Sequence, residues 1–411
     1  MNTRRVLFFK ASIVTVLFFE LMLSPSLGLC VEKTQKGKGQ PKTLTIGYIA
    51  GMTGFSAGSE RVIEQGGHLA VDWINEKGGI DIKGEKYLIK LVTEDHKSTA
   101  EGAAGAAMKL IYDQKVKFIV GGIMPFTNVA INSVAEPAKI LRAAIYNVVT
   151  PDEYGPKTPY TFVTCNGTVE GMITMLTFLA QAHPEVKTIA VSHPDDGAIP
   201  FIQPWIVKIA KERGITVLGD VVGFALDTVD FTPLAKKMLA RNPDAIGMIN
   251  GWPSMTGGVL KVARQSGYTK PIFITTYQPA EDTLKVAGKE ASTLFYQHSL
   301  LPGDSHNPQI VDELMRRCQT KFNHSHIYYI IVGFNNLWML AQAIEAAQSL
   351  DSTTVRDKWE KMNTMKSVLG TAHLGGLKTY GIKHTMSYPI PIISYVNGVP
   401  KTMKLMDVTA P

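Results

Sequence analysis

The stretch "LTIGYIAGMTGFSAG" (Leu44–Gly58), followed by "GGHLAVDWINEKGGI" (Gly66–Ile80), sets the architecture. Leu44–Ala50 is an apolar, β-branched run of strand length. A Gly/Ser loop to Ser59 comes next. Val62, Leu69, Ala70, Trp73 and Ile74 then fall near one face of a 3.6-residue repeat, which predicts a helix from about Glu60 to Lys77. Gly78-Gly79 stops it. Strand, glycine loop and helix in succession are the first half of a βαβ unit.

The alternation continues along the chain. Leu88–Thr93, Lys117–Gly121 and Leu141–Tyr146 read as strands, with helices over Thr99–Tyr112 and Thr127–Lys139 between them. A second set follows, with helices at Thr168–Gln181, Phe201–Arg213, Phe231–Arg241 and Met255–Ser266. Its strands are Thr188–Ser192, Thr216–Phe224, Asp244–Asn250 and Pro271–Thr276. Such spacing predicts parallel sheets with right-handed crossovers, hence an α/β fold of two doubly wound, Rossmann-like lobes. The tail differs, with helices over Asn307–Phe322, Tyr328–Ser349 and Thr353–Met362. A strand at Tyr388–Val396 carries Pro389 and Pro391, which suggest a sheet edge. The chain is therefore expected to cross between the lobes more than once.

Composition agrees with two domains. The chain has 411 residues, 45% hydrophobic and 19% charged, too many for one ordinary core and too apolar for disorder. Three cysteines make neither a disulfide framework nor a four-cysteine zinc site. The net charge of +7 is spread among acids. Its one cluster, Lys33, Lys36, Lys38 and Lys42, reads as a solvated leader rather than a nucleic-acid arm. Arg4 and Arg5, the apolar segment to Leu23 and the small residues of Ser26-Leu27-Gly28 read as a secretory signal peptide (1–28). Lys10 and Glu20 interrupt it, whereas a membrane anchor needs about 20 uninterrupted apolar residues. Removing the signal peptide takes away three cations and one anion and lowers the charge to +5. A periplasmic or other extracytoplasmic location follows. A lipid anchor at Cys30 is the weaker alternative, because Leu29 stands where a small residue is expected.

Five segments in register resemble the leucine/isoleucine/valine-binding family, the type I periplasmic solute-binding proteins of ABC importers. They are the two opening stretches, "KFIVGG" (117–122), "DFTPLAKKMLARNPDAIGM" (230–248) and "VLKVARQSGYTKPIF" (259–273). The resemblance covers roughly Thr43 to Leu405. It implies a Venus-flytrap of two lobes joined by three crossovers: residues 43–164 plus 299–383, and residues 165–298 plus 384–411, after a 29–42 leader. It implies a binding protein rather than an enzyme, with ligand in the cleft, no cofactor and no metal. The partners it implies are a small carboxylate and separate ABC permease and ATPase chains, with no nucleic acid, the protein itself a monomer.

Physical reasoning places ligand beyond the C-terminal ends of the strands, where helix N-termini aim unpaired N–H groups. The loops Thr53–Glu60, Ile123–Asn128, Tyr146–Pro151, His193–Ile199, Gly251–Ser254 and Thr276–Pro279 are the candidates, with Phe55, Ser56, Ser59 and Met124 among their residues. Thr127 is either a ligand contact or a plain helix cap. The resemblance puts ligand contacts at Asn147 and Val149. It also implies an acidic residue for a ligand ammonium at a position that holds Tyr277, beside Gln278. Neither replaces a carboxylate opposite a buried ammonium. Asp195 or Asp196 are the substitutes, or else a solvated turn. Phe55, Phe126, Tyr146, Trp252 and Tyr277 are expected to line an aromatic pocket suited to a small carboxylate with an apolar or aromatic body.

Three competing readings remain. Gly54–Gly58 fits the G-x-S-x-G nucleophile elbow of a serine hydrolase using Ser56, although Gly51-Met52-Thr53 separates it from the strand. His324-Ser325-His326 could be a metal pair or a surface turn. The same lobes also serve as ligand sensors beside a separate kinase or receptor.

Overall fold

A computed structural model describes residues 40–146, 150–151, 153–324 and 326–411. The expected signal peptide, the leader to Gly39 and Cys30 lie outside the described residues, as do Asn147, Val149 and Ser325. Gln40–Pro411 forms one compact unit that carries both sheets.

The first sheet orders nine described strands as Thr364–Ser367, Gly370–Gly375, Thr385–Ser387, Thr161–Val163, Leu141–Ala144, Phe118–Gly121, Lys42–Ala50, Glu85–Asp95 and Ile80–Ile82. Its centre is parallel and its margins are antiparallel. The second sheet runs Val399–Met406, Ile390–Val396, Phe295–His298, Ile272–Tyr277, Ala245–Met248, Thr188–Pro194 and Thr216–Val217. Val222–Phe224 also pairs with Thr188–Pro194. The chain passes between the sheets three times, after Val163, His298 and Ser387.

Twelve described α-helices cover the sheets: α1 (Ala57–Glu76), α2 (Ala100–Met108), α3 (Pro125–Ala135), α4 (Thr168–Ala182), α5 (Ile199–Lys211), α6 (Thr232–Leu239), α7 (Pro253–Gln265), α8 (Asp282–Ala287), α9 (Gln309–Phe322), α10 (Ile327–Ala347), α11 (Ser352–Trp359) and α12 (Leu377–Tyr380). A mixed α/β fold of two lobes with parallel sheets results. The opening strand shows why. Ile46 and Tyr48 pack on one side and Ile49 on the other, so both faces are buried, as a central parallel strand requires.

Several elements depart from the sequence expectation. The expected strand Thr216–Phe224 is two strands, because Gly219 turns the chain at φ +68°. The expected helix Thr99–Tyr112 widens into a π-turn at Lys109–Asp113, which buries Leu110 and Ile111 together; Leu110 lies directly against Gly47. Thr161–Val163 is a strand that the sequence reading passed over. Tyr388–Val396 was expected at an edge, yet Ile390–Val396 is an interior strand with Val399–Met406 outside it. Pro391 is tolerated there because its carbonyl still accepts from Ser299 N.

Among the described residues, α10 is long and apolar enough to cross a membrane, but most of it is buried in the protein. It packs on α1 through two glycines. A Cβ at Gly66 would overlap the Ile330 carbonyl, and one at Gly333 would overlap the Ile63 carbonyl. The two backbones therefore touch without intervening side chains, which only glycine allows.

Gly333→Ala is expected to force these helices apart and destabilise the protein by about 1–3 kcal/mol. Gly105→Ala, at an exposed position of α2 with open space around it, is expected to stabilise by about 0.5–1 kcal/mol. Thermal melts of both variants check the contrast, and equal shifts would contradict the contact.

Candidate functional site

Parallel strands end where the helices that follow them begin, so each lobe presents helix N-termini at one edge of its sheet. The first turns of α3 and α4, together with Ala198 at the cap of α5 and Trp252 at the cap of α7, line a single cavity of about 1190 Å³ between the two sheets. Phe55, Phe126, Tyr146, Trp252 and Tyr277 all line it, as do Ser59, Met124 and Asp196. Phe55 and Phe126 approach to 6.4 Å between ring centroids. Tyr277, at the end of a second-sheet strand, stacks on Tyr328 of α10, which packs on the first sheet, with ring planes only 6° apart. This is a direct aromatic contact across the cleft.

Ser56, Thr127, Asp195 and Gln278 do not line the cavity. Ser56 is buried, with its hydroxyl 2.8 Å from that of Ser98. Thr127 donates to the Met124 carbonyl (2.9 Å) and so serves its own helix. Asp195 is exposed on the turn before α5. Gln278 is buried and committed to Gly251, Thr256 and Thr283. The side chains of Ser56, Thr127 and Gln278 satisfy local backbone and hydroxyl groups, which a one-dimensional reading does not separate from ligand contacts.

The residues that the sequence reading passed over are Cys165, Thr168, His298, Tyr328, Tyr329 and Tyr388. The Tyr328-Tyr329 pair at a helix start was the available signal. Burial pushes the Cys165 thiol up to about 12, and its sulfur is held by Tyr146 N and O, so it stays a neutral thiol. Cys165 and Cys318 are both free. Thr168 and Thr275, buried in the lining, have hydroxyls without a hydrogen-bond partner among the described residues.

Two acids stand among the described lining residues, and both are engaged. Glu153 accepts from Thr150 N (3.2 Å). Asp196 Oδ1 accepts from His193 Nε2 (2.9 Å) and Ala198 N (3.0 Å). Desolvation, the largest single influence, opposes ionisation of Asp196, but the bond to and charge of His193 together with backbone N–H groups outweigh it and lower its pKa. His298 is buried. Its Nδ1 donates to the Thr275 carbonyl, and its Nε2 faces the Thr174 hydroxyl at 3.1 Å. Desolvation lowers its pKa to about 3, so it is neutral throughout the working range.

The hydrolase elbow lacks its geometry. Ser56 Oγ meets Ser98 Oγ rather than a base. The nearby His96 uses Nε2 on Glu60 and accepts Ser98 N–H on Nδ1, leaving no nitrogen for Ser56. His324 bonds Gln65 and Cys318, and no group of three potential metal ligands occurs among the described residues.

The periplasmic binding protein family matches residues 43–397. A Leu/Ile/Val-binding protein homolog 3 from Brucella melitensis biotype 1 is 33% identical over 113 residues, and the match spans 28% of each chain. The substrate-binding protein LivJ from Streptococcus pneumoniae, solved in complex with isoleucine, is 20% identical with a TM-score of 0.66 over 89% of this chain and 99% of that one. An ABC-transporter solute-binding protein from Rhodopseudomonas palustris BisB5, solved with 3,4-dihydroxybenzoic acid, is 18% identical with a TM-score of 0.66, covering 90% and 99%. The two solved structures share the fold.

A neutral His298 predicts an acid-sensitive fold. Its folded pKa near 3 lies below the usual 6.5, so protonation favours the unfolded chain. The stability this group contributes is complete above pH 6.5 and declines as pH falls from there toward 3. Imidazole NMR should find His298 neutral at pH 5. A folded-state midpoint near 6.5 would contradict its burial.

Proposed function

Since the chain belongs to the periplasmic binding protein family, we propose that it is the extracytoplasmic substrate-binding component of an ABC importer. It captures a small carboxylate with an apolar or aromatic body between its lobes, without chemistry on the ligand. The supporting observation is the lining itself. Aromatic rings form the walls, helix N-termini supply anion-binding N–H groups, and the two described acids are engaged by the protein. A carboxylate end is met by donors and an apolar end by rings. An α-ammonium would have to share Glu153 or Asp196 with the protein groups that already hydrogen-bond them, which weakens its pairing once water is excluded.

Ligand binds one lobe, the second closes on it, and the closed shape is the one that a separate permease and its ATPase would accept. A second reading, a branched-chain amino acid, is favoured by the Leu/Ile/Val-binding relative and by the isoleucine held in the Streptococcus pneumoniae protein.

A thermal-shift and calorimetric screen separates the two. Benzoate, phenylacetate and 4-methylpentanoate are tested beside leucine, isoleucine and valine. A ligand at 100 times its Kd stabilises the fold by about 2.7 kcal/mol, easily read as a raised melting temperature. Stabilisation by an acid without an α-amine is expected. Tight leucine binding with no response to the other acids would establish the second reading instead.

A further inference from the structure

Behind the cleft wall of the first lobe lies a charge that the proposed function does not use. Arg142, on the strand Leu141–Ala144, is completely buried. Its guanidinium bonds only neutral acceptors: Asn128 Oδ1 at 2.7 Å, Asn132 Oδ1, and the carbonyls of Gly121 (3.4 Å) and Asn128 (3.5 Å). Its Nε has no partner, and Arg142 forms no ion pair among the described residues. Glu136 attracts the guanidinium through space but makes no ion pair with it; its carboxylate accepts from Thr161 (2.7 Å) and Tyr160 N (3.0 Å). A buried charge with no counter-charge in contact is expensive, and arginine does not escape the cost by losing its proton.

The surroundings make the placement informative. Arg142 Nη2 sits beneath Gly122, where a Cβ would lie 3.1 Å from it and 2.6 Å from Asn128 Oδ1. Gly122 holds φ +80°, and the residues that follow it, Ile123–Phe126, line the cavity. The same turn leads into α3. The first intrahelical bond of α3 is Asn128 N to Met124 O, Pro125 has no N–H, and no acid occupies the first turn. The Phe126 and Thr127 amides precede that bond, so the positive end of the helix and the guanidinium converge on one stretch of wall. The α4 N-terminus contrasts with it, since the buried Glu170 accepts Gly167 N there.

We infer that Arg142 is a specificity-determining residue of the cleft: acting from behind the Gly122–Thr127 turn, its charge makes the first-lobe wall select anionic over isosteric neutral ligands. The inference rests on the carboxylate reading above and names what enforces it. Arg142 does not touch the ligand. It positions Asn128 and the turn, and its field adds to that of the helix.

The test measures acid-to-amide preference by calorimetry on the purified protein, using benzoate against benzamide, phenylacetate against phenylacetamide, and 4-methylpentanoate against its amide. The parent should prefer the acid of at least one pair. Arg142→Gln should cut that preference about tenfold, the order expected for one charge acting across a protein wall. Arg142→Lys should retain most of it. Asn128→Asp sets a carboxylate against the guanidinium and should cut the preference without removing Arg142, which keeps the test open if Arg142→Gln does not fold. A purely structural role would weaken acid and amide alike. An unchanged ratio in both Arg142→Gln and Asn128→Asp would overturn the inference and leave the carboxylate reading standing. A parent with no acid preference in any pair would overturn both.

Discussion

Every helix that follows a parallel strand begins at the same edge of its sheet, and this one constraint organises the cleft. Two such sheets in one unit bring the N-termini of α3, α4 and α7 to a common cavity. All three contribute positive partial charge, so the cavity favours anions before any side chain is considered. Side chains then grade that field. Glu170 offsets the start of α4 from within its own first turn, and Asp196 lies beside the start of α5. At α3 no acid intervenes and a buried arginine stands behind. At the α3 start a helix N-terminus and a buried cation therefore act on the same stretch of lining.

Backbone proximity is the second condition. The Gly122 turn leaves no room for a side chain between itself and Arg142, and the α1–α10 contact leaves none between Gly66 and Ile330. Both places need backbone against its neighbour, and in both the sequence supplies glycine. The benefit differs. At α1–α10 it is rigidity in the lobe that holds Tyr328. At Gly122 it is the close approach of the turn to the Asn128 amide and the guanidinium behind it.

Much of this was legible in the chain. The period-2 and period-3.6 patterns gave the alternation of strands and helices, because parallel strands are apolar on both faces and amphipathic helices are not. They failed at Thr216–Phe224, where one glycine turn divides an apolar run, and at Thr161–Val163, where three residues carry no measurable period. They also failed at Ile390–Val396, where proline signalled an edge but its carbonyl alone suffices for pairing. Large aromatic residues in post-strand loops pointed at the cavity: Phe55, Phe126, Tyr146, Trp252 and Tyr277 all line it. Small polar residues were ambiguous. Ser56, Thr127 and Gln278 sit in the right loops but turn their hydrogen bonds into the protein, and whether a hydroxyl caps a helix or meets a ligand depends on a rotamer that composition does not encode. Arg142 was invisible for a further reason. An arginine inside an apolar strand looks like a flaw in the pattern until its four neutral acceptors are brought around it.

The aromatic rim connects this static picture to motion. Phe55 is 74% exposed, Trp252 55% and Phe126 42%, unusual values for large rings at the mouth of one cavity. Each exposed ring carries an apolar area whose removal from water is worth about 25 cal/mol per Å². Tyr277 and Tyr328 already stack across the cleft, so the lobes have one aromatic contact in place while the rim rings face solvent. A ligand with an apolar body that bridges Phe55 and Phe126 on one lobe and Trp252 on the other would bury these faces together with its own. Drawing the lobes together and holding the ligand would then be one event, driven by the same apolar area. Polar contacts at the α3 turn would decide which molecule enters, and the rings would decide how firmly the lobes close on it.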